Sequence, residues 1–558
     1  MTLRDILLRT TARAGDRTAV RWKEGDDWKT RTYAELLQRA RRVAAVLAGL
    51  KIRPGDRVAL MRENHPEWIS DYFGITALGA VAVPVDVKLR DREAAHILRD
   101  SGARVLIADA RLYPLLREAE ATGLEDLRDI LVKGGVPSPA GGGIAWHDLD
   151  AALAAADPAD PAFDAHPPAP DDIASLIYTS GTTGRQKGAM LTHGNFAANC
   201  AACSRLADFH SWDNFFVILP LHHAFAFMGG LLVPVYNGCE ISFAQGLKTV
   251  GENIRETRPT VFFGVPLMIQ KMHQRIRQQV DGNRLARWLW RLRLRGPVRR
   301  RVRESLGGRL RLMITGGAPC DPAVLRSLAE LGLLAVEGYG LTESAPVITI
   351  NPPADPRPGT VGRPLDNLEV RIREPDASGD GEVLARGPSI MKGYFNNPAA
   401  TAEVLEDGWL HTGDLGRLDA DGYLSITGRL KSLIVNREGK NIHPEEVEAV
   451  INQSPYILES LVLGYRDPGE KVGEKVGVIL VPRAEALDAL RGAGGGPASD
   501  ADIAALLREE VRKQGAQLAD YKRPRRIQIR AEEFEKTSTA KIKRYLYRLE
   551  AMIVEDGA

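Results

Sequence analysis

Residues 178–188 combine the side chains that polyphosphate binding requires. The run reads Tyr-Thr-Ser-Gly-Thr-Thr-Gly-Arg-Gln-Lys-Gly, with three glycines, four Ser or Thr hydroxyls and one lysine. Glycines let backbone N–H groups turn toward one point, hydroxyls add further donors, and Lys187 adds a compact positive charge. Such a loop suits polyphosphate, although a flexible Gly/Thr turn has a similar composition.

The surroundings of this run differ from those of the nucleotide loop of kinases and GTPases. That loop needs Gly-Lys followed by Ser or Thr at the start of a helix. Here Lys187 is followed by Gly188 and the strand-like residues 189–192, and a helical pattern begins only at Asn195. A strand-like segment, 173–177, precedes the run, so the sequence predicts a strand, a phosphate loop and a second strand.

Four further stretches carry polar residues that could act on a nucleotide. Taken singly, each has a structural explanation as well: a turn aromatic, a surface ion pair, or a solvated lysine at a helix start. The stretches are Gly316-Gly317-Ala318, Glu337-Gly338-Tyr339-Gly340-Leu341-Thr342-Glu343, Thr412-Gly413-Asp414 with the later Arg429, and Lys536-Thr537-Ser538-Thr539-Ala540-Lys541.

Together and in this order, the five stretches resemble the signatures of the adenylate-forming superfamily, which includes acyl-CoA synthetases, luciferases and peptide-synthetase adenylation domains. The resemblance extends from the first helices to Arg544. Within the superfamily, the chain most resembles long-chain fatty-acid–CoA ligases. It implies that the triphosphate is cradled by Thr179, Ser180, Gly181, Thr182, Thr183, Gly184 and Lys187. It implies further nucleotide contacts from Gly317, Ala318, Gly338, Tyr339, Gly340 and Thr342.

Individual roles also follow from the resemblance. Tyr339 is expected to stack on adenine, and Thr342 to contact phosphate. Glu343, with Thr179, is expected to hold magnesium, which prefers oxygen ligands. Asp414 and Arg429 are expected to bind the ribose hydroxyls, since a carboxylate accepts hydrogen bonds from both.

Two catalytic residues are implied by the same resemblance. Lys541 matches the C-terminal lysine, which would offset negative charge that builds on the α-phosphate. His223, in Leu219-Pro220-Leu221-His222-His223, would lie near the substrate carboxylate and the pantetheine thiol, or would be a structural histidine. Coenzyme A is expected along the loop of Gly439, Lys440 and Asn441.

The chain departs from the family pattern at three positions. Ala540 stands where glycine is frequent, Glu535 where proline is common, and Ser432 where the hinge is usually acidic. None of these changes removes a catalytic group, but Ser432 leaves the hinge motion open.

The elements that must position these residues alternate between strands and helices, which predicts parallel βαβ units. Residues 351–428 are strand-rich, and residues 133–172 read as a Gly/Pro/Ala-rich surface connection. The fold class expected is α/β, with a large N-terminal domain of parallel-sheet subdomains plus a small β-barrel-like part. A small mobile α+β C-terminal domain completes it. The predicted domains are residues 1–428 and 429–558, with a hinge at 429–432.

Composition narrows the function classes. The 558 residues are 44% hydrophobic, 26% charged and 6% aromatic, with a formal net charge of +2, which gives no reason to invoke nucleic acid. The charged N-terminus does not resemble a signal peptide, and no apolar run is long enough for a membrane span. Four cysteines without a secretory signal indicate reduced thiols and a cytoplasmic location.

One segment, 284–303, is rich in arginine. As a single helix it would place Leu285, Trp288, Leu289 and Leu292 on one face and Arg284, Arg287, Arg291 and Arg295 on another. This pattern is typical of a solvated surface helix and also of peripheral contact with an anionic membrane at the inner face.

The function predicted is an AMP-forming acid–thiol ligase that uses ATP, Mg²⁺ and coenzyme A, with a medium- or long-chain fatty acid as its substrate. Apolar residues 225–232 and 262–266 could line an alkyl tunnel or belong to the core. A ligase for a carrier-protein phosphopantetheine and a non-catalytic adenylate-binding protein are the alternatives. Nothing in the sequence supports the oxygen chemistry of a luciferase. Oligomeric state and pathway stay open.

Overall fold

The structure is a computed structural model of the full chain. It describes residues 1–121, 123–136, 143–180, 186–438, 440–467, 473–484, 500–536 and 542–549.

Several helices begin where the sequence supplies a side-chain cap. Helix α2, for example, starts after Thr32, whose hydroxyl accepts from the Glu35 N–H while the Glu35 carboxylate accepts from the Thr32 N–H. The helices are α1 Leu3–Ala14, α2 Tyr33–Gly49, α3 Pro66–Ala77, α4 Asp91–Ser101, α5 Tyr113–Ala121, α6 Leu149–Ala155, α7 Ala162–Ala165, α8 His193–Ala207, α9 Ala224–Phe227, α10 Val233–Asn237, α11 Val250–Thr257, α12 Pro266–Gly282, α13 Arg284–Arg291, α14 Arg295–Ser305, α15 Pro322–Glu330, α16 Pro398–Val404, α17 Pro444–Ile451 and α18 Asp500–Gly515.

The strands are short and mostly buried in the first two-thirds of the chain. They are β1 Thr18–Glu24, β2 Asp27–Thr32, β3 Arg57–Met61, β4 Val81–Pro84, β5 Ala103–Asp109, β6 Asp129–Lys133, β7 Ala145–Asp148, β8 Ile173–Ser180, β9 Gln186–Thr192, β10 Asn214–Val217, β11 Glu240–Phe243, β12 Val261–Gly264, β13 Leu312–Thr315, β14 Ala335–Gly340, β15 Val347–Ile350, β16 Arg363–Pro364, β17 Glu369–Arg373, β18 Gly381–Arg386, β19 Leu405–Glu406, β20 Trp409–Leu418, β21 Leu424–Arg429, β22 Ile434–Val435, β23 Asn441–Ile442, β24 Ile457–Tyr465, β25 Lys475–Pro482 and β26 Arg526–Ile529.

Among the described residues, two large sheets dominate. One has the order β7-β6-β5-β3-β4-β8-β9 and is parallel except at the β8–β9 hairpin. The other has the order β16-β15-β14-β13-β12-β10-β11-β1-β2, with parallel neighbours from β14 to β1. Its outer pairs, β1–β2, β14–β15 and β15–β16, are antiparallel. One buried core contains residues of both sheets and of helices α2, α3 and α8. The predicted α/β class with parallel sheets is therefore confirmed.

Three smaller sheets complete the strand pairing in the described ranges. The first has the order β17-β18-β20-β19, with β21 paired to β20. The others are the β22–β23 pair and the sheet β24-β25-β26, against which α17 and α18 contribute core residues.

The chain divides into two compact units. The first comprises residues 1–370, 385–411 and 422–424; the second comprises residues 371–384, 412–421 and 425–558. Arg429 ends β21, and a 3-10 turn, Leu430–Ser432, follows it. The domain limits 1–428 and 429–558 stay a prediction.

Two sequence-based expectations about local structure are wrong. Residues 284–303 form two helices, α13 and α14, because Arg293 adopts a left-handed backbone with φ 58° between them. The stretch 133–172 is more than a connection, since it contains β7, α6 and α7 and buries Phe163 completely. Within the described ranges, no helix combines the length and the apolar character needed to cross a bilayer.

Candidate active site

The carboxyl edge of the larger sheet gathers most of the predicted residues of the first unit. Strands β10, β12, β13 and β14 run parallel, so their carboxyl ends meet at one edge. The Leu219–His223 stretch follows β10, Gly316 to Ala318 follow β13, and Gly338 to Glu343 end or follow β14. In open α/β sheets this edge is where ligands bind. The structure thus brings two of the five predicted stretches and the histidine segment to one edge.

The β8–β9 hairpin carries the start and end of the phosphate loop. Thr179 on β8 pairs with Lys187 on β9, and Ser180 pairs with Gln186. Gly188 is buried against Tyr178, since a Cβ there would lie 3.0 Å from the tyrosine ring. The Tyr178 hydroxyl donates to Asp100 at 2.6 Å, which fixes this ring. The hairpin therefore presents Thr179 and Lys187 side by side; Gly181, Thr182, Thr183 and Gly184 lie outside the described residues.

Residues 391–395 connect this hairpin to the turn after β14. The Phe395 N–H donates to the Gly188 carbonyl and the Lys392 N–H to the Met190 carbonyl, both along β9. The Met391 N–H donates to the Glu343 carbonyl at 2.9 Å. This segment therefore ties the phosphate loop to the predicted magnesium ligand.

Tyr394, within that segment, contacts two predicted site residues. Its hydroxyl donates to Glu343 Oε1 at 2.7 Å, and Lys187 Nζ lies 5.2 Å from the centre of its ring. Burial, reinforced by the Glu343 carboxylate, raises the pKa of Tyr394 well above its ordinary value, so the phenol stays a donor. Sequence reasoning missed Tyr394; the Gly-Tyr-Phe-Asn-Asn-Pro turn pattern beside it was the available signal.

The turn after β14 is held by close backbone packing. A Cβ on Gly340 would lie 1.8 Å from the Pro346 carbonyl oxygen, so only glycine fits there. The Leu341 N–H donates to that same carbonyl at 3.0 Å. The Asn199 side chain, from α8, donates to the carbonyls of Ser344 and Val347. Thr342 and Glu343 therefore stand on a rigid turn.

Asn64 holds the segment that carries the two histidines. Its amide donates to the Leu219 carbonyl at 2.6 Å and accepts from the Leu221 N–H at 2.9 Å. Because Asn64 follows β3 and Leu219 follows β10, this contact joins the carboxyl ends of the two large sheets.

A carboxylate missed by sequence reasoning, Asp86 after β4, lies beside the histidine pair. Asp86 Oδ2 is 3.4 Å from Nε2 of the buried His222, and the rings of His222 and His223 are 4.2 Å apart. The three side chains present ligand atoms within 4.8 Å of one another. His223 is thus part of a polar triad, and Asp86 is placed to orient the pair.

A cavity of about 70 Å³ opens beside the glycines of β14. Gly316, Gly338, Tyr339 and Gly340 line one part of it. Side chains of α8, of residues 225–233 (α9, the π-helical turn Met228–Leu232 and the start of α10) and of β12 line the rest. They include Cys203, Ala207, Phe225, Met228, Val233 and Phe263. The rings of Phe225 and Phe263 are 5.7 Å apart, Phe263 and Phe215 5.9 Å, and Phe215 and Phe209 5.0 Å. This row of rings leads from the glycine turns toward the end of α8 at Ala207.

One buried carboxyl lies directly under the Tyr339 turn. Glu337 is 4% exposed, and its Oε1 accepts from the Cys320 N–H at 2.9 Å. Burial raises the pKa of Glu337 to about 8, only partly opposed by that hydrogen bond. The group is therefore largely protonated at neutral pH in the folded chain.

The second unit pairs the two predicted ribose-binding residues. Arg429 Nε lies 2.9 Å from Asp414 Oδ1, with Asp414 buried and Arg429 half exposed. The Asp414 N–H donates to the Thr412 hydroxyl, which itself donates to the Val383 carbonyl. Gly413 between them has φ +68°, which favours glycine. The structure thus brings the two residues together, and their role at the ribose stays a prediction.

Backbone pairing joins the residues that flank the C-terminal lysine motif. Lys536 bridges to Ile542, and the Lys543 N–H donates to the Glu535 carbonyl at 2.9 Å. Arg544 then binds Glu448 of α17 through two contacts of 2.6 and 2.5 Å. Lys541 itself lies outside the described residues. The ion pair between Glu448 and Arg544 anchors the segment that follows Lys541. The sequence analysis did not predict this pair.

The predicted pantetheine loop is only partly described. Lys440 is exposed, pairs with Glu438 at 2.7 Å and lies 4.8 Å from the ring centre of Tyr521. Asn441 opens β23 and is exposed, and Gly439 lies outside the described residues.

Glu343 after β14 and Thr179 on β8 are oxygen donors of the kind that magnesium prefers. Mg²⁺ binds carboxylates together with substrate phosphates and keeps several waters. Glu343 offers a carboxylate with one oxygen fixed by Tyr394, and Thr179 offers a hydroxyl beside the phosphate loop. These two residues would hold the ion together with the phosphates.

The chain belongs to the AMP-binding enzyme family, whose model matches residues 7–395. The AMP-binding enzyme C-terminal domain matches residues 446–541.

Three relatives define the class more closely. The chain is 35% identical to a feruloyl-CoA synthase of an Amycolatopsis species, covering 81% of this chain and 83% of the relative. It is 30% identical to the long-chain-fatty-acid–CoA ligase FadD15 of Mycobacterium bovis, covering 93% and 90%. The solved anthranilate CoA ligase AuaEII, in complex with anthranoyl-AMP, has a TM-score of 0.80 at 26% identity, covering 98% of this chain and 96% of that chain.

The prediction of an AMP-forming acyl-CoA synthetase is therefore confirmed. Enzymes of this class use ATP, Mg²⁺ and coenzyme A and pass through an acyl-adenylate.

Proposed function

We propose that this acyl-CoA synthetase activates a carboxylic acid with an apolar tail, and that a medium- or long-chain fatty acid is its substrate. The observation that carries the proposal is the cavity beside Gly338 to Gly340. Its lining consists of aromatic, aliphatic, glycine and cysteine residues, with no charged side chain among those that the structure describes. A tail that enters it gains from leaving water and meets no charged side chain of the described lining.

In the first half-reaction, an oxygen of the substrate carboxylate attacks the α-phosphorus of ATP, and pyrophosphate leaves. We assign the β8–β9 hairpin with Lys187 to the triphosphate, Tyr339 to adenine, and Asp414 with Arg429 to the ribose. Bound Mg²⁺, held by Glu343 and Thr179, would supply positive charge that offsets repulsion between the carboxylate and the triphosphate. Lys541 would neutralise charge that develops at the reacting phosphorus.

In the second half-reaction, the thiol of coenzyme A attacks the acyl carbonyl, and AMP leaves with the bonding electrons of the mixed anhydride. We assign His223 to the neighbourhood of this carbonyl and the loop of Gly439, Lys440 and Asn441 to the pantetheine. The C-terminal domain would turn about residues 429–432 between the two steps, so that Lys541 acts only in the first.

Substitution of Lys541 tests whether this lysine acts only in the first half-reaction. Lys541→Ala should reduce acid-dependent pyrophosphate release by at least ~10²-fold while conversion of a supplied acyl-adenylate and coenzyme A to thioester stays near the wild-type rate. Equal loss of both half-reactions would contradict the division and the hinge.

The substrate is tested with a pyrophosphate-release panel of fatty acids of increasing length, cinnamate-type acids and benzoates, each with and without coenzyme A. The proposal requires the highest kcat/KM for a fatty acid and formation of the CoA thioester. An aryl acid is the second candidate, because a cavity of about 70 Å³ is small and rich in phenyl rings, and because one relative is a feruloyl-CoA synthase.

A matched pair of variants examines the role of the cavity itself. Ala202 and Ala207 lie on the same helix, α8, and each is 2% exposed, but only Ala207 lines the cavity. Ala207→Val should lower kcat/KM for the longest accepted acid about tenfold relative to a shorter one, since one methylene in a pocket has an effect of that order. Ala202→Val should affect all acids equally. If Ala207→Val lowers kcat/KM equally for all acids, the cavity does not hold the acyl chain.

A further inference from the structure

Helix α13 leaves a row of large apolar side chains in water. No residue of α13 is buried. Leu285 is 63% exposed and Trp288 57%, and Leu292, directly after the helix, is 51% exposed. Their spacing of three and then four residues places them on one helical face. An isolated exposed leucine would be ordinary, but three adjacent large side chains, one of them tryptophan, mark an interaction surface.

This row is not the face by which α13 packs on the protein. Ala286, Leu289 and Trp290 pack against the core that includes Phe262 and Ile276. The guanidinium of Arg295 lies 4.8 Å from the ring centre of Trp290, which fixes that ring. The helix is therefore seated by one face, and the face with Leu285, Trp288 and Leu292 is not required for its attachment.

The same segment has strong positive charge. Between residues 284 and 303 there are nine arginines and no acidic residue. Some arginines of α14 are engaged locally: Arg299 donates to the Glu330 carbonyl and Arg300 to Glu304. For the side chains of Arg284, Arg287 and Arg291 on α13, the described part of the chain shows no ion pair. They line a third face of the helix, next to the apolar row.

We propose that α13 docks this enzyme on the surface of an anionic phospholipid bilayer. Leu285, Trp288 and Leu292 would enter the boundary between headgroups and acyl chains, where tryptophan places its apolar ring and its polar N–H favourably. The arginines beside them would extend to lipid phosphates while their methylene stems cover apolar surface. This docking is independent of which acid the enzyme activates, and it fits an enzyme at the inner face of a membrane.

The apolar row favours a bilayer over the other polyanions. A nucleic acid or an acidic protein segment would pair with the arginines but would leave Leu285, Trp288 and Leu292 in contact with water. A bilayer satisfies both the positive charge and the apolar surface at once.

The test is flotation of the full-length enzyme with vesicles of phosphatidylcholine, alone or with about 30% phosphatidylglycerol. The wild type should bind the anionic vesicles at least ~10-fold more strongly, and about 0.5 M salt should weaken this binding, because salt screens charges across a few ångström. The triple variant Leu285→Ser/Trp288→Ser/Leu292→Ser should lose binding by ~10-fold or more.

Matched variants separate the surface from unspecific effects. Arg284→Gln/Arg287→Gln/Arg291→Gln should also reduce binding, whereas the corresponding lysine triple should retain most of it. Trp212, 51% exposed elsewhere on the first unit, supplies the control: Trp212→Ser should bind like wild type. Pyrophosphate release with a water-soluble acid should be unchanged in all these variants, which shows that they are folded.

Three results would overturn the proposal. One is equal binding to neutral and anionic vesicles, and a second is equal binding by the wild type and the serine triple. The third is retention of an RNA oligonucleotide or of a second copy of the chain through Arg284, Arg287 and Arg291 without vesicle binding.

Discussion

In the first unit the carboxylate of Glu343 is held by a neutral phenol, whereas in the second unit the segment after Lys541 is held by an ion pair. Tyr394 is 8% exposed and donates one hydrogen bond to Glu343. The Glu448 and Arg544 side chains are 14% and 27% exposed and share two contacts. A phenol fixes a carboxylate without neutralising it, so Glu343 keeps its charge for a cation, whereas the ion pair in the second unit consumes both charges for attachment.

This contrast predicts that substitutions in the two units divide the half-reactions differently. Changes at Glu343 and Tyr394 should act through the nucleotide and its metal ion. Changes at Glu448 and Arg544 should act through the placement of Lys541, and therefore on adenylate formation alone.

Glu343→Gln should have the largest effect. The amide keeps the size and a hydrogen-bond acceptor for Tyr394 but loses the charge that attracts Mg²⁺, so acid-dependent pyrophosphate release should fall by about 10²–10³-fold. Raising the Mg²⁺ concentration should recover part of it. Glu330→Gln, on the surface helix α15, is the matched control. A loss that is indifferent to Mg²⁺ would remove Glu343 from the metal site.

Arg544→Gln should come next. It leaves the largely buried Glu448 carboxylate without its guanidinium, so we expect the second unit to lose about 2 kcal/mol of unfolding free energy. Adenylate formation should fall about tenfold or more, because the Lys541 segment loses its anchor, while thioester formation from supplied acyl-adenylate should change little.

The double variant Glu448→Gln/Arg544→Gln checks the cause. It removes both charges, so its stability loss should be smaller than the sum of the two single losses. If stability and adenylate formation are additive in this cycle, or if both half-reactions fall together, then the pair does not position the lysine segment.

Tyr394→Phe should have a smaller effect, because the ring that lies near Lys187 remains and only the hydroxyl is lost. A hydrogen bond to a charged group contributes about 1.5–3 kcal/mol, so a roughly tenfold or greater loss of adenylate formation is expected, with a higher Mg²⁺ requirement. The measurement is the Mg²⁺ dependence of adenylate formation, compared between the wild type and the variant. An unchanged Mg²⁺ dependence would show that Tyr394 acts on the hairpin and not on Glu343.

The sequence predicts the glycine turns well and their cross-links poorly. Gly338 to Glu343 follow a buried strand, so local pattern alone places them at the sheet edge. Tyr394 is 51 residues from Glu343, and Asn64 is 155 from Leu219, so their contacts depend on packing that no local period encodes. The same holds for Arg544 and Glu448, 96 residues apart.

Periodicity also misjudged the arginine-rich segment. The sequence pattern predicts one helix, with Leu289 on the same face as Leu285, Trp288 and Leu292. In the structure Leu289 packs on the core, and the chain breaks at Arg293 before α14. Pro297, in the first turn of α14, was the local signal of a new helix start.

The smallest expected effect on catalysis concerns Glu337, which acts on the pH dependence of stability instead. In the folded chain its carboxyl keeps its proton up to about pH 8, whereas in the unfolded chain it releases the proton near pH 4.5. Between these values the unfolded state binds fewer protons, so Glu337 lowers the stability of the fold progressively as pH rises from 4.5 to 8. Glu337→Gln cannot ionise and can still accept from the Cys320 N–H.

The variant should therefore be about as stable as wild type near pH 5 and more stable, by roughly 2–4 kcal/mol at most, near pH 8. The measurement is the unfolding temperature of both proteins across this window, with Glu330→Gln as the exposed control. Parallel pH profiles of wild type and Glu337→Gln would mean that the carboxyl under Tyr339 is ionised in the folded enzyme.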